Sequence, residues 1–305
     1  MWPTLYTQKT SFGEVPYNSW GLMITLGFLF AAIVAHRRAA KVGIDPDKMV
    51  GLYVVAIVAG LAGARLLHFL MATPKQFFAD PLAFFNLGKG GFAFYGGFIL
   101  AGVLGVLYGR WRGMNVWKLC DVVGPTVMLG LAFGRVGCFL AGCCHGEAFT
   151  LPPDAHGILP DTFRGGQLFV FSEFPFLGEM TRHGVGENDV PVYPTQLYEH
   201  WASLAIFGVT SWMFHKWRKF DGQVFAAVLI LYSIWRPFNE SLRGDDIRGT
   251  DWFGLTTSQV VAIPVLVLGV VIVALRFDKG VAPEKPFEHP AEEEGTDTAG
   301  SAPRL

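Results

Sequence analysis

Seven stretches of this chain, near 20–36, 49–71, 92–109, 117–142, 197–215, 222–239 and 257–276, are apolar for as long as a bilayer is thick. Runs of about 17–25 apolar residues are what a helix needs to cross hydrocarbon. Of 305 residues, 51% are hydrophobic and 16% charged, against about 25% charged in an average soluble domain. The pattern predicts an all-α integral membrane protein of about seven transmembrane helices, with the lipid bilayer as its first partner. A net charge of −1 gives no reason to expect nucleic acid.

The basic residues between the runs alternate. His36, Arg37, Arg38 and Lys41 follow the first span, and Arg110 and Arg112 the third. Lys216, Arg218 and Lys219 follow the fifth, and Arg276 and Lys279 the seventh. The other connections are poorer, with Lys75 and Lys89 in one and Arg164 and Arg182 in another. By the positive-inside rule the N-terminus lies outside and the C-terminus in the cytoplasm. Residues 1–17 lack the basic stretch and short apolar core of a signal peptide, so the first span is expected to direct its own insertion. Residues 1–281 read as one membrane domain. The segment 147–195 is too long for a simple connection and is expected to form a small head on the outer face. Residues 282–305, rich in Pro, Glu, Gly and Ser, read as a disordered cytoplasmic tail.

Polar residues interrupt the spans, and these carry the functional signal. Arg135 ends an apolar run, in Gly134-Arg135-Val136-Gly137-Cys138-Phe139-Leu140-Ala141-Gly142-Cys143-Cys144-His145-Gly146. An arginine at such depth costs at least ~2.5 kcal/mol and normally faces a protein interior or aqueous cavity. The plainer alternative is an arginine snorkelling to the interface beside packing glycines. Arg65 lies inside the second span, and Tyr95 precedes Gly96-Gly97 at the opening of the third. Tyr193-Pro194-Thr195-Gln196-Leu197-Tyr198-Glu199 leads into the fifth. Tyr232, Arg236 and Glu240 recur at i, i+4, i+8, with Arg243 a turn later, which places them on or near one helical face. An Arg236–Glu240 pair is expected, with a kink at Pro237. A self-neutralising ion network would account for Glu240 and Arg243. Arg65, Arg135 and Arg236 together exceed the acids visible in the spans, so an anionic ligand is expected, and a phospholipid headgroup suits the arginine fork.

With these residues in view, the chain resembles the bacterial prolipoprotein diacylglyceryl transferases from about 20 to 269. The likeness runs through Trp20-Gly21-Leu22-Met23, Arg37-Arg38-Ala39, Gly63-Ala64-Arg65, Phe78-Ala79-Asp80-Pro81-Leu82 and Gly90-Gly91 to Gly96-Gly97. It continues through the Arg135 motif, the Tyr193 to Glu199 stretch, Arg236 to Arg243 and Ser258-Gln259. The resemblance implies seven helices in a bacterial plasma (inner) membrane and a periplasmic head. It also implies transfer of a diacylglyceryl group from phosphatidylglycerol to the lipobox cysteine of a preprolipoprotein signal peptide, giving a thioether and glycerol phosphate. Arg135 matches the family's lipid-binding arginine and Arg236 its second essential arginine, with Tyr232 and Glu240 beside it. Arg65, Gly96, Gly97, Cys138, Gly146, Gln196, Tyr198, Glu199 and Arg243 fall in the shared motifs and are expected to line the substrate site.

Departures from the family pattern cluster at that site. Tyr95 stands where active members usually have histidine, and Cys138, Ala141 and Cys143 replace two asparagines and a glutamate. A tyrosine of ordinary pKa ~10 is a poor base, so Tyr95 and His145 are the two groups to which the acceptor thiol's proton could go. Cys138, Cys143, Cys144 and His145 have an unusual spacing for a metal, and neither metal nor cofactor is expected. On one continuous helix Cys138 and Cys143 would stand ~140° apart, sharing a face only if the helix breaks at Gly142. Small buried hydrophobes come first among the readings of the cysteines, then thiol redox chemistry or a covalent lipid–thiol intermediate, and last a metal. Alternatives to the transferase are a paralogue that uses another acceptor or thiol redox chemistry, and a silent lipid-binding membrane protein.

Overall fold

A computed structural model describes residues 4–10, 13–71, 84, 93–144, 146, 169–171, 177–181, 190–242 and 255–283. His145, Arg243, most of the long segment after the fourth helix and 284–305 lie outside the described residues. Seven long helices are found among those described: α1 (Ser19–Lys41), α2 (Pro46–Met71), α3 (Phe94–Trp111), α4 (Val116–Ala141), α5 (Thr195–Lys216), α6 (Gln223–Ser241) and α7 (Thr257–Arg276). They coincide with the seven apolar runs to within a few residues. Two small antiparallel sheets, absent from the sequence reading, accompany them. A hairpin pairs β1 (Thr4–Thr10) with β2 (Gly13–Asn18) just before α1. The long segment carries a three-stranded sheet, β3 (Phe169–Phe171), β4 (Leu177–Thr181) and β5 (Val190–Val192), with β4 central.

Five of the helices, α1, α2, α3, α4 and α7, are long and apolar enough to cross a membrane. Leu29, Val58, Ile99 and Val270 on four of them are more than half exposed, as side chains that face lipid are. Within α4, 56% of the most apolar stretch is buried, against 11–22% for the other four. So α4 is the central helix, packed on α1, α5 and α6. Helices α5 and α6 fall short of the apolar criterion for a physical reason. Thr195, Gln196, Glu199, Ser203 and Thr210 on α5, and Ser233, Arg236, Asn239 and Glu240 on α6, are polar and buried. These polar faces turn inward, where polar groups in a membrane protein are expected to pair.

Close approach between α2 and α3 depends on glycine. A Cβ on either Gly63 or Gly96 would overlap the other's carbonyl oxygen, and one on Gly97 would stand 2.5 Å from the Gly60 oxygen. Gly96 and Gly97 thus serve this small-residue crossing. At the other end of the bundle, polar side chains tie the helix ends together. Asn115 caps α4 by accepting from Trp117 N and Lys118 N at 3.1 and 3.3 Å. The first turn of α6 has no acid and no side-chain cap of its own. Asp121, fully buried on α4, supplies it by accepting from Gly222 N at 2.8 Å and Phe225 N at 2.9 Å. Ala282 and Pro283, where the disordered tail was expected to begin, are also held. Ala282 N donates to Asp221 Oδ2, and Lys118 Nζ donates to the Pro283 carbonyl.

Replacing Asp121 by alanine strands two backbone N–H groups at the start of α6. Loss of a cap of this kind costs about 2 kcal/mol. Asp121→Ala is therefore expected to lower the melting temperature clearly, and Asp121→Asn, which keeps an acceptor, by less. Equal melting for all three proteins would remove Asp121 from this role.

Candidate active site at the junction of three helices

Glu199 is buried to 0% exposure on α5, one turn after Thr195. Its carboxylate accepts from three donors of α6. The Tyr232 hydroxyl donates at 2.8 Å, Arg236 Nη1 at 3.3 Å, and Asn239 Nδ2 directly. Tyr232, Arg236 and Asn239 lie at i, i+4, i+7, so one face of α6 presents all three. Arg236 completes its fork with Glu240 at 2.5 Å and the Ser258 hydroxyl of α7 at 3.1 Å. The expected i,i+4 pair is present. The guanidinium is therefore divided between two carboxylates and a hydroxyl, and a phosphate would have to compete for it. Pro237 sits inside α6, which continues to Ser241.

Arg135 differs. It lies on α4, and the titratable groups close enough to act on its charge are Glu199, Tyr232, Cys138 and Cys144. Among the described residues it makes no ion pair, and its buried Nε has no hydrogen-bond partner. Arg65 is occupied elsewhere: it is 3% exposed, donates from Nε to the Phe84 carbonyl at 3.3 Å, and lies 4.9 Å over the Phe69 ring. The structure thus brings Arg135, Glu199, Tyr232, Arg236 and Glu240 together at the α4–α5–α6 junction. Tyr95, in the first turn of α3, is 38% exposed and meets the Phe94 ring edge-on. No side-chain hydrogen bond joins it to that junction among the described residues.

The Tyr-Pro-Thr-Gln stretch has a local role that its sequence did not disclose. Helix α4 ends on Gly142, which adopts left-handed backbone at φ 71 and ψ 29. Cys144 is also left-handed, at φ 65, a conformation that costs a non-glycine residue roughly 1–2 kcal/mol. The leading residues of α5 hold the reversed chain. Thr195 Oγ1 donates to the Cys144 carbonyl and Gln196 Nε2 to the Cys143 carbonyl, each at 3.0 Å, while Gly146 N donates to the Tyr193 carbonyl at 2.7 Å. A side chain at 146 would crowd Leu242 O, Tyr193 Cβ and Thr195 Cγ2 at 2.6–2.8 Å. Gln196 and Gly146 therefore build the turn that carries the cysteines.

That turn alters the reading of the cysteines. Their spacing was judged on a continuous helix, but the break at Gly142 folds Cys143 and Cys144 back toward Cys138. The three sulfurs lie within 4.8 Å of one another, and none of these cysteines is in a disulfide. Two polar residues of α5 and α6 escaped the sequence reading, Asn239 at the site and His200 at the packing of α5 on α4. Asn239 could have been found from its i+7 relation to Tyr232. His200, whose Nδ1 lies 2.9 Å from the Ala132 carbonyl of α4, gave no such signal.

The chain matches the prolipoprotein diacylglyceryl transferase family over residues 9–275. It is similar to the phosphatidylglycerol–prolipoprotein diacylglyceryl transferase of Clostridium tetani, with 31% identity over 253 residues, 83% of this chain and 90% of the relative. A second such protein, from Clostridium perfringens, is 31% identical over 266 residues, 86% of this chain and 92% of the relative. One from Bacillus mycoides is 27% identical over 288 residues, 94% and 98% of the two chains. With its helices, its Arg135 motif and its Glu199–Arg236 junction inside the matched span, this chain belongs to the prolipoprotein diacylglyceryl transferase family.

Proposed function

We propose that the protein transfers the diacylglyceryl group of phosphatidylglycerol to the lipobox cysteine of preprolipoproteins, forming a thioether and releasing glycerol phosphate. The observation that carries this reading is Arg135: a partly buried arginine whose buried Nε has no hydrogen-bond partner and which makes no ion pair among the described residues. The lipid phosphate supplies its missing partner. As the C–O bond to phosphate breaks, charge grows on the leaving group, and a fixed cation in a water-poor site stabilises that charge more than it stabilises the ground state. Arg236 and Tyr232 hold Glu199 in place and so fix the wall against which the headgroup lies. Tyr95 is assigned to contact with the arriving lipid, because no described side chain hydrogen-bonds to it.

In this reading all seven helices cross a bacterial inner membrane. The polar faces of α5 and α6 are covered by α4 and α7, so their lower hydropathy does not bar them from the bilayer. The N-terminus is outside, the segment 147–195 is a periplasmic head, and residues 282–305 continue into the cytoplasm.

Two measurements test this reading. Purified protein given phosphatidylglycerol and a lipobox peptide should yield the diacylglyceryl thioether, detected by mass spectrometry. Arg135→Ala should lower kcat/KM by about 100-fold or more at unchanged melting temperature, and Arg135→Lys should recover little, because a point charge does not reproduce the planar fork. Wild-type turnover in Arg135→Ala would reduce the residue to a snorkelling cation. Lipid binding without any thioether would favour the silent-scaffold reading instead, in line with the changes at 95, 138, 141 and 143.

For topology, the four native cysteines are first replaced by serine. Cysteine reporters at 147–189 should then label from outside, and reporters after 276 only from the cytoplasm. Cytoplasmic labelling of the long segment would invert the orientation.

A further inference from the structure

We propose that Cys138, Cys143 and Cys144 form a three-thiolate site for a zinc ion whose open fourth position takes the acceptor cysteine of the lipobox. This inference rests on the diacylglyceryl-transfer reading and supplies what that reading lacks, a way to deprotonate the acceptor thiol without the family's usual histidine.

The geometry points to a metal through three features. First, three sulfurs converge within 4.8 Å, whereas a disulfide would use two and leave the third unexplained. Zinc–sulfur bonds of ~2.3 Å in a tetrahedron place the sulfurs ~3.8 Å apart, a contraction of about 1 Å at most from the positions observed. Second, the turn is built rather than incidental. Cys144 is held in left-handed backbone, and the Cys143 and Cys144 carbonyls are pinned by Gln196 and Thr195 of α5. Third, the side chains grade from partly buried Cys138 and Cys144 to exposed Cys143, so one side of the cluster is open to a fourth ligand. Three protein ligands and an open position are the arrangement of catalytic rather than structural zinc.

Charge and placement then join the cluster to the transfer. Arg135 acts on both Cys138 and Cys144, so the lipid phosphate that it takes would lie beside the cluster. Arg135 precedes Cys138 by three residues, so both lie on one face of α4. The acceptor thiol binds the fourth position and releases its proton to solvent, since thiols coordinate as thiolates. The bound sulfur attacks the glyceryl carbon, a C–S bond forms, and the C–O bond to phosphate breaks with its electron pair leaving on glycerol phosphate, held by Arg135. The product is a neutral thioether, a weaker ligand than a thiolate, and dissociates. No oxidant or reductant is needed.

The test uses full-length protein in phosphatidylglycerol nanodiscs, reduced, stripped with a chelator and titrated with Co(II) as a spectroscopic probe. One equivalent should bind with sulfur-to-cobalt charge-transfer absorption. Cys138→Ser and Cys143→Ser should each weaken binding at least tenfold, with melting of the metal-free protein unchanged for Cys143→Ser. A lipobox peptide should increase the absorption, and its Cys-to-Ser analogue should not. Stripping should cut transfer at least 100-fold without loss of phosphatidylglycerol binding, and Zn(II) should restore it. Absent absorption, uptake indifferent to the serine variants, a Cys138–Cys143 disulfide in anaerobically purified protein, or full transfer by stripped protein would each overturn the zinc site. Full transfer by stripped protein would leave the transferase reading intact. A protein that binds metal and peptide thiol but makes no thioether would retain the zinc site and overturn the transferase reading.

Discussion

A fully buried carboxylate needs hydrogen-bond donors around it, and Glu199 has three on one face of α6. That requirement orders much of the site. It fixes the rotation of α6 against α5, and it holds Arg236 where its second nitrogen meets Glu240 and Ser258. Removing one member of such a buried pair typically costs 3–5 kcal/mol, because the partner is left charged and alone. Glu199 and Glu240 both pair with Arg236, and Arg135 makes no ion pair among the described residues.

Much of the fold was legible in the sequence because bilayer thickness imposes length. Seven apolar runs became seven helices with ends shifted by a few residues. The i, i+4, i+8 pattern of Tyr232, Arg236 and Glu240 located the polar face of α6 for the same reason, since helical period alone dictates it. What spacing could not reveal was where each arginine's charge goes. Three arginines looked equally available, yet Arg65 is bound to the Phe84 carbonyl and Arg236 to two acids. Pairing across helices depends on rotation about each axis, and no local pattern encodes it.

The cysteines show the same limit in a sharper form. A helix of constant period separates Cys138 from Cys143, and that assumption argued against a shared site. Gly142 was recognised as the place where the helix could break. The left-handed Cys144 and the grip of Thr195 and Gln196 were not, because those contacts link residues about fifty positions apart. Gly96 and Gly97 also let α2 and α3 touch, a contact that no local pattern encodes.

In the proposed reading Arg135 serves the lipid while Arg236 serves the fold. It is tested most directly by measuring phosphatidylglycerol affinity and melting temperature side by side for Arg135→Ala and Arg236→Ala. The account predicts that Arg135→Ala loses lipid affinity at nearly unchanged melting, whereas Arg236→Ala melts well below the parent because Glu199 and Glu240 lose their partner. The reverse pattern, a stable Arg236→Ala that no longer binds lipid and an Arg135→Ala that binds it normally, would contradict the account.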